Sequence, residues 1–345
     1  MNVLELTRRL VDIDSVTPNE QAVGGFLADY LAPLAARHGG RLERLPVENG
    51  RENILVCWGE PVVTLSTHLD TVPPYFSSRE DKEFIYGRGA CDAKGILAAM
   101  IGAAEGLLAV GVRGFALLFV VGEERGSAGA RAAARTPRGS RYLINGEPTE
   151  NRLALGSKGA LRFELSTRGR RAHSAYPELG ESAIDKLLDA LTRVRAISLP
   201  VNQVLGSSTL NIGTISGGEA PNVIPGEARA ELMFRLVGDP APLRRAVADA
   251  AQGLAEVREI LCIPAQHLEA VPGFETTVVS YTTDIPVFEG AWGRPLLLGP
   301  GSIHVAHTDG ERIAKRELVE AVAIYQRLVR QLLAAGNSNP ANHNP

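Results

Sequence analysis

From residue 1 to about residue 150, short apolar runs alternate with stretches whose apolar positions recur at helical spacing. The apolar runs read ENILVCW, PVVTLST, FALLFVV and RYLIN. One helical pattern begins the chain, and another extends from Ala93 to about Val110. Such alternation predicts a three-layer α/β domain with a mixed sheet. Because VVTLS and FALLFVV contain no charged residue, we expect them to be central strands that are buried on both faces.

Beyond Glu150 the pattern changes to alternating apolar and polar positions, which predicts strands with one buried face. The alternating segments read ALRFELSTRG, STLNIGTISGG and EARAELMFRLV, with helical patterns near 181–196 and 240–258. The order strand, helix, two strands, helix predicts a small open sheet with helices on one face, a ferredoxin-like α+β arrangement. This segment therefore indicates a second domain.

The end of the chain returns to the first pattern. Beyond about residue 268 it has two short apolar runs, VVSYTT and PLLLG, and then an amphipathic helix from about Glu311 to Leu333. At 345 residues the chain exceeds the size at which single hydrophobic cores stop growing. We expect a first domain at 1–155 and 268–335, an inserted domain at 156–267, and a disordered polar tail at 336–345.

Composition and charge restrict the class of protein. Hydrophobic residues make up 45% and charged residues 22%, and no apolar run approaches the roughly 20 residues that cross a membrane, so a soluble protein without a membrane partner is expected. The first residues lack the apolar core of a signal peptide. A net charge of −3 without long basic runs predicts no nucleic-acid partner. Cys57, Cys91 and Cys262 lack CxxC spacing, which argues against a disulfide framework and a thiolate zinc site and favours a cytoplasmic location.

Several predicted strands of the first domain are followed directly by carboxylate or imidazole side chains. These candidates are His68 and Asp70 after VVTLS, Asp92 in the turn YGRGACDAKG, Glu123 and Glu124 after FALLFVV, Glu147 after RYLIN, and His307 in GPGSIHVAHTDGE. Each alone has an ordinary structural explanation as a helix cap or a surface residue. Because ligands of open α/β sheets bind beyond the carboxyl ends of the strands, we expect these side chains to meet in one crevice.

Acidic side chains gathered in a crevice would repel one another unless cations neutralised them, so the cluster predicts a metal site. Oxygen and nitrogen ligands without thiolates fit zinc, cobalt or manganese in a catalytic setting, and a pair of ions needs one bridging carboxylate. Asp92, on a tight glycine-rich turn, is the natural bridge. The others divide into His68 with Glu147 on one ion, Glu124 with His307 on the other, and Glu123 as a general base.

The turn GRGACD also invites a different interpretation, because GxG after a strand can begin a dinucleotide-binding loop. Asp92 occupies the position of the third glycine of GxGxxG. Its carboxylate would repel a pyrophosphate, so the nucleotide interpretation is disfavoured.

These segments together resemble the di-zinc family of acetylornithine deacetylases, succinyl-diaminopimelate desuccinylases, aminoacylases and glutamate carboxypeptidases. The matching stretches are THLDTVP, YGRGACDAKGILAA, VVGEERGSAG, INGEPT, HSAYPELGESAI, APNVIPGEARAELMFR and GPGSIHVAHTDGE. They follow the family order across nearly the whole chain. At residues 281–284 the family often has a Gly-x-Thr-Asp-like turn, whereas this chain reads YTTD, which puts a pocket role for Thr283 in doubt.

The resemblance implies a role for each residue of the cluster. The implied metal ligands are His68, Asp92 and Glu147 for one zinc ion and Asp92, Glu124 and His307 for the other. Asp70 would fix the tautomer of His68 through a hydrogen bond, and Glu123 would act as the general base. His304 competes with His307 as the last ligand, and His307 is preferred because AHTDGE matches the deacetylase-type AHxxxE pattern.

For the inserted domain, the resemblance implies a lid that also forms the surface of a homodimer. His173 would reach the neighbouring subunit's active site and stabilise the oxyanion. Asn222 is a further candidate for substrate contact. Arg235 would grip the α-carboxylate of the substrate with its bidentate fork, and Gly301 and Ser302 could donate backbone hydrogen bonds to the same group.

The implied activity is metal-dependent hydrolysis of the amide bond of an N-acyl amino acid. The C-terminal stretch looks most like the acetylornithine deacetylase branch, so an N-acetyl amino acid such as N-acetylornithine, and a role in arginine biosynthesis, is the first expectation. The alternatives are a succinyl-diaminopimelate desuccinylase-like enzyme, a carrier-linked lysine or ornithine deacylase, and a dipeptidase or carboxypeptidase. An inactive relative acting as a binding protein is the alternative of another class.

Overall fold

The computed structural model describes residues 1–48 and 50–337. The α-helices are α1 (Val3–Val11), α2 (Gln21–Arg37), α3 (Lys94–Ala109), α4 (Ala128–Ala134), α5 (Ala183–Arg195), α6 (Ala241–Ala251), α7 (Ile285–Phe288) and α8 (Lys315–Asn337). One-turn 3-10 helices lie at Glu123–Arg125 and Pro177–Leu179. None of the helices in this described part of the chain is long and apolar enough to cross a membrane.

The β-strands fall into one large sheet, one medium-sized sheet and several small ones. They are β1 (Arg41–Glu48), β2 (Arg51–Trp58), β3 (Val63–His68), β4 (Arg79–Glu80), β5 (Phe84–Tyr86), β6 (Phe115–Val120), β7 (Tyr142–Asn145), β8 (Leu153–Ser157), β9 (Gly159–Arg168), β10 (Val201–Asn202), β11 (Gly206–Ser207), β12 (Thr209–Gly217), β13 (Glu227–Leu236), β14 (Glu256–Ile263), β15 (Gln266–His267), β16 (Thr276–Val279), β17 (Arg294–Leu297) and β18 (Arg312–Ala314). The small sheets have the orders β10-β11, β15-β8-β16 and β18-β5-β4.

The chain divides into two compact units. The first contains Met1–Leu155, Leu268–Thr277 and the described residues from Thr283 onward. The second contains Gly156–His267 and Val278–Thr282. The sequence pattern assigned residues 278–282 to the first domain, and in the structure they group with the second unit.

The first unit is built on a six-stranded mixed sheet with the order β1-β2-β6-β3-β7-β17. β2 pairs antiparallel with β1 and β6, whereas β6, β3, β7 and β17 all run parallel. The two predicted central strands, β3 and β6, are neighbours in the middle of the sheet, and every residue of both is buried. Because the parallel strands share a direction, their carboxyl ends open onto one edge of the sheet.

Helices cover both faces of this sheet, which confirms the predicted three-layer arrangement. Alternate residues of β6 enter two different cores, Phe115, Leu117 and Phe119 on one face and Ala116, Leu118 and Val120 on the other. The first core includes side chains of α1, α2, α3 and α8, and the second includes side chains of α4 and α7. A strand that buries both faces must be apolar at successive positions, which is why FALLFVV lacks the alternation of a surface strand.

The second unit contains a four-stranded antiparallel sheet with the order β12-β13-β9-β14. Its elements follow the chain order β9, α5, β12, β13, α6, β14. This combination is the predicted ferredoxin-like arrangement. Side chains of α5, α6 and the inward positions of the sheet form one core, which includes Leu161, Leu187, Phe234 and Val247.

Some predicted boundaries are wrong, and in two cases strand pairing is the reason. The helix predicted to continue to residue 258 ends at Ala251, because residues 256–263 form β14 and pair with β9. The last helix begins at Lys315 rather than near Glu311, because β18 precedes it and pairs with β5. That helix continues to Asn337, so the first two residues of the predicted tail are helical, and residues 338–345 lie outside the described residues.

A buried ion pair joins the start of α2 to the start of β2 in the first unit. Arg51 donates from Nε to Oε2 of Glu20 at 2.8 Å and from Nη2 to Oε1 at 2.5 Å, and the two side chains are 5% and 0% exposed. Burial raises the pKa of Glu20, while its hydrogen bonds to Arg51 act in the opposite direction. Removing one partner therefore leaves a buried charge without compensation.

We expect Arg51→Met to lower the free energy of unfolding by about 3–5 kcal/mol, because Glu20 loses its only bidentate donor in the described structure. The double variant Glu20→Gln with Arg51→Met should lose less. Arg44→Met is a matched control that breaks the more exposed pair with Glu52, and it should cost about 1 kcal/mol or less. Urea unfolding measures all three, and equal losses for Arg51→Met and Arg44→Met would contradict the prediction.

Candidate metal centre and active site

His68 is the last residue of β3, and its ring is held on both sides. The side chain is 1% exposed. Nδ1 donates to the carbonyl oxygen of Asp70 at 3.0 Å and lies 3.5 Å from Oδ1 of the same residue. Nε2 faces Oδ1 of Asp92 at 2.9 Å. Burial alone would lower the pKa of His68, but the contacts with Asp70 and Asp92 outweigh it and raise that pKa well above its usual value.

Asp70 ties the end of β3 to the loop that follows β6. Its Oδ1 accepts the backbone N–H of Glu123 at 3.0 Å, and its Oδ2 accepts the N–H of Glu124 at 3.2 Å and the hydroxyl of Thr17 at 2.7 Å. Burial would raise the pKa of Asp70, but its contact with His68 and these hydrogen bonds lower it. Asp70 is therefore an ionised acceptor that positions His68, Glu123 and Glu124 together.

Asp92 presents its two carboxylate oxygens to two different histidines. Oδ1 faces Nε2 of His68 at 2.9 Å, and Oδ2 faces Nε2 of His307 at 3.3 Å. Burial would raise the pKa of Asp92, yet the hydrogen bonds from His307 and His68 lower it. A carboxylate whose oxygens point at two separate imidazoles has the arrangement that a bridging ligand requires.

His307 rather than His304 joins the cluster. Its Nε2 lies 3.0 Å from Oε1 of Glu124 in addition to its contact with Asp92. The hydrogen bonds with Asp92 and Glu124 raise the pKa of His307 to about 10. His307 has a φ of +63°, a conformation that a non-glycine residue rarely adopts and that is found at functional sites when surrounding contacts enforce it. His304, which lies three residues before His307 in the chain, has an exposed side chain.

Glu123, Glu147 and Asp284 add further carboxyl groups to this region. Burial raises the pKa of Glu123 and Glu147 well above the usual value, and repulsion from neighbouring carboxylates adds to the effect. Burial likewise raises the pKa of Asp284 to about 6. In the described part of the chain, Oε1 of Glu147 and Oδ1 of Asp284 are buried without a hydrogen-bond partner. Such groups are costly unless a positive charge compensates them.

The donor atoms fit a divalent metal. One ligand atom from each of His68, Asp92 and Glu124 lies within 4.8 Å of the others. The unpartnered oxygen of Glu147 and the ring of His307 extend this set with further oxygen and nitrogen donors. Imidazole and carboxylate ligands without thiolates suit zinc, manganese or cobalt.

The loop that carries Glu123 and Glu124 begins at a position that only glycine fills comfortably. Gly122 has a φ of +76°, and a Cβ there would lie 2.6 Å from Nη2 of Arg51. Gly122 also accepts the N–H of Ser127 at 2.7 Å, which closes the loop. The side chain of Arg51, which forms the buried ion pair with Glu20, thus packs closely against Gly122, at the start of the loop that carries Glu123 and Glu124.

The predicted substrate residues of the second unit lie in two places. His173 and Val223 form an isolated antiparallel bridge, and Ser174 donates to the carbonyl oxygen of Asn222 at 3.0 Å, so the segments of His173 and Asn222 are adjacent. Both side chains are exposed. Arg235 is half-buried near the other end of β13, and burial lowers its pKa.

Gly301 and Ser302 already have partners in the first unit. The N–H of Gly301 donates to Oε2 of Glu317 at 2.8 Å, and the hydroxyl of Ser302 donates to Oε1 of Glu150 at 3.0 Å. The amide of Gly301 that was predicted to bind the substrate carboxylate is therefore engaged. A substrate could use it only by displacing Glu317.

Two buried acids near the cluster were not predicted. Asp284 follows Thr283, whose hydroxyl accepts the N–H of Ile285, and the charge of Asp284 contributes to the raised pKa of Glu123. Glu311 accepts the backbone N–H of Asp92 at 3.1 Å. Both lie in stretches that the resemblance covered, YTTD and HTDGE, but an acid in a loop carries no local signal of burial.

Comparison with known proteins agrees with this geometry. The sequence profile of Peptidase family M20/M25/M40 matches residues 64–331. A probable carboxypeptidase of Aspergillus clavatus is 39% identical over 378 aligned positions, which cover 96% of this chain and 82% of that protein. The solved structure of a tripeptidase from Staphylococcus aureus superposes with a TM-score of 0.80 at 22% identity and covers 98% of each chain.

A dinuclear metal-binding M20 peptidase from Bacillus subtilis superposes with a TM-score of 0.70 at 16% identity, covering 96% of this chain and 97% of that one. At these identities the two solved structures bear on the fold alone. The profile match, which takes in all the clustered residues from His68 to His307, and the 39% identity bear on the family. This chain therefore belongs to Peptidase family M20/M25/M40 and is a hydrolytic enzyme.

Proposed function

We propose that this enzyme uses two divalent metal ions to hydrolyse an amide bond whose amine side is an amino acid with a free α-carboxylate. The observation that carries the proposal is the Asp92 carboxylate, which faces His68 with one oxygen and His307 with the other. A relative at 39% identity is named a probable carboxypeptidase, so the carboxyl-terminal bond of a short peptide is the first candidate substrate.

An N-acetyl amino acid such as N-acetylornithine is the second candidate. The stretch GPGSIHVAHTDGE, which resembles the acetylornithine deacetylase branch, supports it. A peptide bond at a carboxyl terminus and the amide of an N-acyl amino acid present the same scissile group and the same α-carboxylate. The two candidates therefore need the same chemistry at the strand ends and differ in the group on the acyl side.

The proposed ligands are His68, Asp92 and Glu147 for one ion and Asp92, Glu124 and His307 for the other. We propose zinc first, with cobalt or manganese as alternatives, because all the donors are imidazole nitrogens or carboxylate oxygens. When bound, the ions polarise the scissile carbonyl and lower the pKa of a water molecule. The three free cysteines are compatible with the reducing cytoplasm as the location.

Glu123 is the proposed proton carrier. Its backbone N–H is fixed by Asp70, and burial together with nearby carboxylates raises the pKa of its side chain. A carboxyl group with a raised pKa holds a proton more readily near neutral pH and can later release it. Glu123 thus takes a proton from the attacking water and delivers it to the departing amine.

A homodimer would supply the residues that bind and stabilise the substrate. β13 and β9 pair from Glu227 opposite Arg168 to Arg235 opposite Ala160, a strand length of about 26 Å. His173 follows Arg168, at the first of these ends, and forms an isolated bridge with Val223. The segment of His173 thus adjoins the end of the β9-β13 pair that lies opposite Arg235, which supports the use of the two side chains in different active sites. We propose that Arg235 binds the α-carboxylate of the substrate and that His173 stabilises the oxyanion in the active site of the neighbouring subunit.

The first test is a substrate panel with metal-free protein, with and without zinc, cobalt or manganese. Short peptides and N-acyl amino acids with free carboxylates should release amino acid only with metal, and amidated versions of the same compounds should react at least about 100-fold more slowly. Glu123→Gln should retain both metals and lower kcat by at least about 100-fold. Glu60→Gln, an exposed change in the same unit, is the matched control. Metal-independent release, or near-normal turnover by Glu123→Gln, would contradict the assignment.

The stabilisation by metal should grow between pH 6 and pH 8. A raised pKa of His307, to about 10, means that the folded metal-free protein holds this proton more tightly than the unfolded chain. Protonated His307 contributes its full stabilisation of the fold below pH 6.5, its pKa in the unfolded chain, and this contribution is lost as pH rises through about 10. A metal ion must displace the same proton, so its binding becomes easier as pH rises.

Thermal unfolding with and without zinc checks this dependence. The rise in Tm on adding metal should be larger at pH 8 than at pH 6 for the wild type, and His307→Ala should lose most of it. His304→Ala, a change of the exposed neighbouring histidine, should behave like the wild type. The opposite ranking of the two variants would make His304 the ligand.

Mixing two inactive variants tests the exchange of His173 between subunits. Glu123→Gln and His173→Ala should each be weakly active, but their mixed dimer has one site with an intact base and an intact His173. Random assortment of equal amounts should restore about a quarter of wild-type activity. Glu123→Gln mixed with Glu123→Ala should restore none. Absence of recovery in mixed dimers that sedimentation confirms would refute the exchange.

A further inference from the structure

A single buried carboxylate, that of Glu311, holds the turn that carries Asp92. Its Oε1 accepts the backbone N–H groups of Gly89, Cys91 and Asp92 at 2.9, 3.2 and 3.1 Å. Its Oε2 accepts Nη1 of Arg88 at 2.7 Å. Glu311 is 0% and Arg88 1% exposed, so these contacts are closed to water. Hydrogen bonds to an ionised acceptor in such surroundings are the strong ones.

Arg88 extends this network toward the segment that follows Asp70. Its Nε donates to the carbonyl oxygen of Pro74 at 3.1 Å, and its N–H donates to the carbonyl oxygen of Phe76 at 3.1 Å. The guanidinium also lies 5.0 Å from the centre of the Phe76 ring. Arg88 is therefore held in place by contacts other than Glu311. Its hydrogen bond to Oε2 consequently orients the carboxylate of Glu311.

Glu311 also connects Asp92 to His307 through the main chain. Its carbonyl oxygen accepts the N–H of Gly87 at 3.1 Å, and its own N–H donates to Thr308 at 3.3 Å. His307 lies directly before Thr308, in the conformation with a φ of +63°. Two segments that are more than 200 residues apart, one with Asp92 and one with His307, are thus joined at one residue.

We propose that Glu311 is a positioning residue that sets the distance and orientation of Asp92 and His307 and thereby determines how tightly the metal is bound. The inference rests on the proposed metal function. A buried ion pair alone would not require a carboxylate, since apolar residues often replace such pairs without loss. The three N–H groups of the Asp92 turn do require an acceptor, and the oxygen that faces them is the one that Arg88 does not occupy.

The amide of Glu311→Gln separates the two tasks of the carboxylate. The amide has one acceptor oxygen, which can accept either from Arg88 or from the N–H groups of the turn. Its NH2 group, itself a donor, would then face the donors that the oxygen does not accept. We expect metal affinity to fall by about 10- to 100-fold, the effect usual for residues that orient metal ligands. Adding Arg88→Met removes the competing donor, so the double variant should recover a large part of the affinity.

The experiment titrates metal-free protein with Co²⁺ and follows the visible absorption bands, which report ligand geometry, and repeats the titration with Zn²⁺ against a competing chelator. Thr64→Val is the matched control, because it removes a buried side-chain hydrogen bond to Ser140 in the same unit without contact with the Asp92 turn. Urea unfolding of each metal-free variant measures the loss of stability.

Weaker binding and altered bands in Glu311→Gln, recovery in the double variant and unchanged binding in Thr64→Val support the inference. Binding by Glu311→Gln that equals the wild type overturns it, and so does an equal loss of affinity in Thr64→Val at a similar loss of stability. A wild type that binds neither metal overturns the proposed function and this inference with it.

Discussion

Repulsion among buried carboxylates is the constraint on which this structure depends. Four parallel strands open their carboxyl ends onto one edge of the large sheet, and the segments beyond that edge carry Asp92, Glu123, Glu124 and Glu147. Burial and mutual repulsion raise the pKa of the three glutamates, whereas Asp92 stays ionised because two imidazoles face it. Positive charge held among the acids relieves this repulsion, which is why a set of acids on a sheet edge indicates a cation site.

Two further carboxylates hold the turns that carry these acids in place. Asp70 accepts the N–H groups at the start of the Glu123–Arg125 turn, and Glu311 accepts those of the Asp92 turn. In both cases the donors belong to the main chain, so the side chains of the turn remain free to face the centre of the cluster. Asp70 and Glu311 can therefore position other acids, because N–H groups and positively charged side chains compensate their own charges.

The sequence predicted what depends on local pattern. Continuous apolar runs predicted β3 and β6 as central strands, and the rule that ligands bind beyond the carboxyl ends of parallel strands predicted that His68, Asp92 and Glu124 lie together. The local sequence pattern gave wrong bounds where pairing between distant segments determines the secondary structure. The helix predicted near 240–258 extends over the first three residues of β14, and only the pairing of that strand with β9 shows where the helix ends. Likewise, nothing local to Glu311 shows that its partners are Gly89 and Asp92.

Under the proposed function, protons and metal ions would compete for the same negative charges in this site. The pKa of His68 is raised because Asp70 and Asp92 face its ring, and the pKa of His307 is raised because Asp92 and Glu124 face its ring. A metal ion bound as proposed would displace those protons and would be held by the same nitrogen and oxygen atoms. Asp70 and Glu311 also accept main-chain N–H groups of the turns that carry Glu123 and Asp92, and these hydrogen bonds do not involve the imidazole protons. Exchange of a proton for a metal ion would therefore change the charge that neutralises the cluster, while the hydrogen bonds that Asp70 and Glu311 accept from the main chain hold the turns.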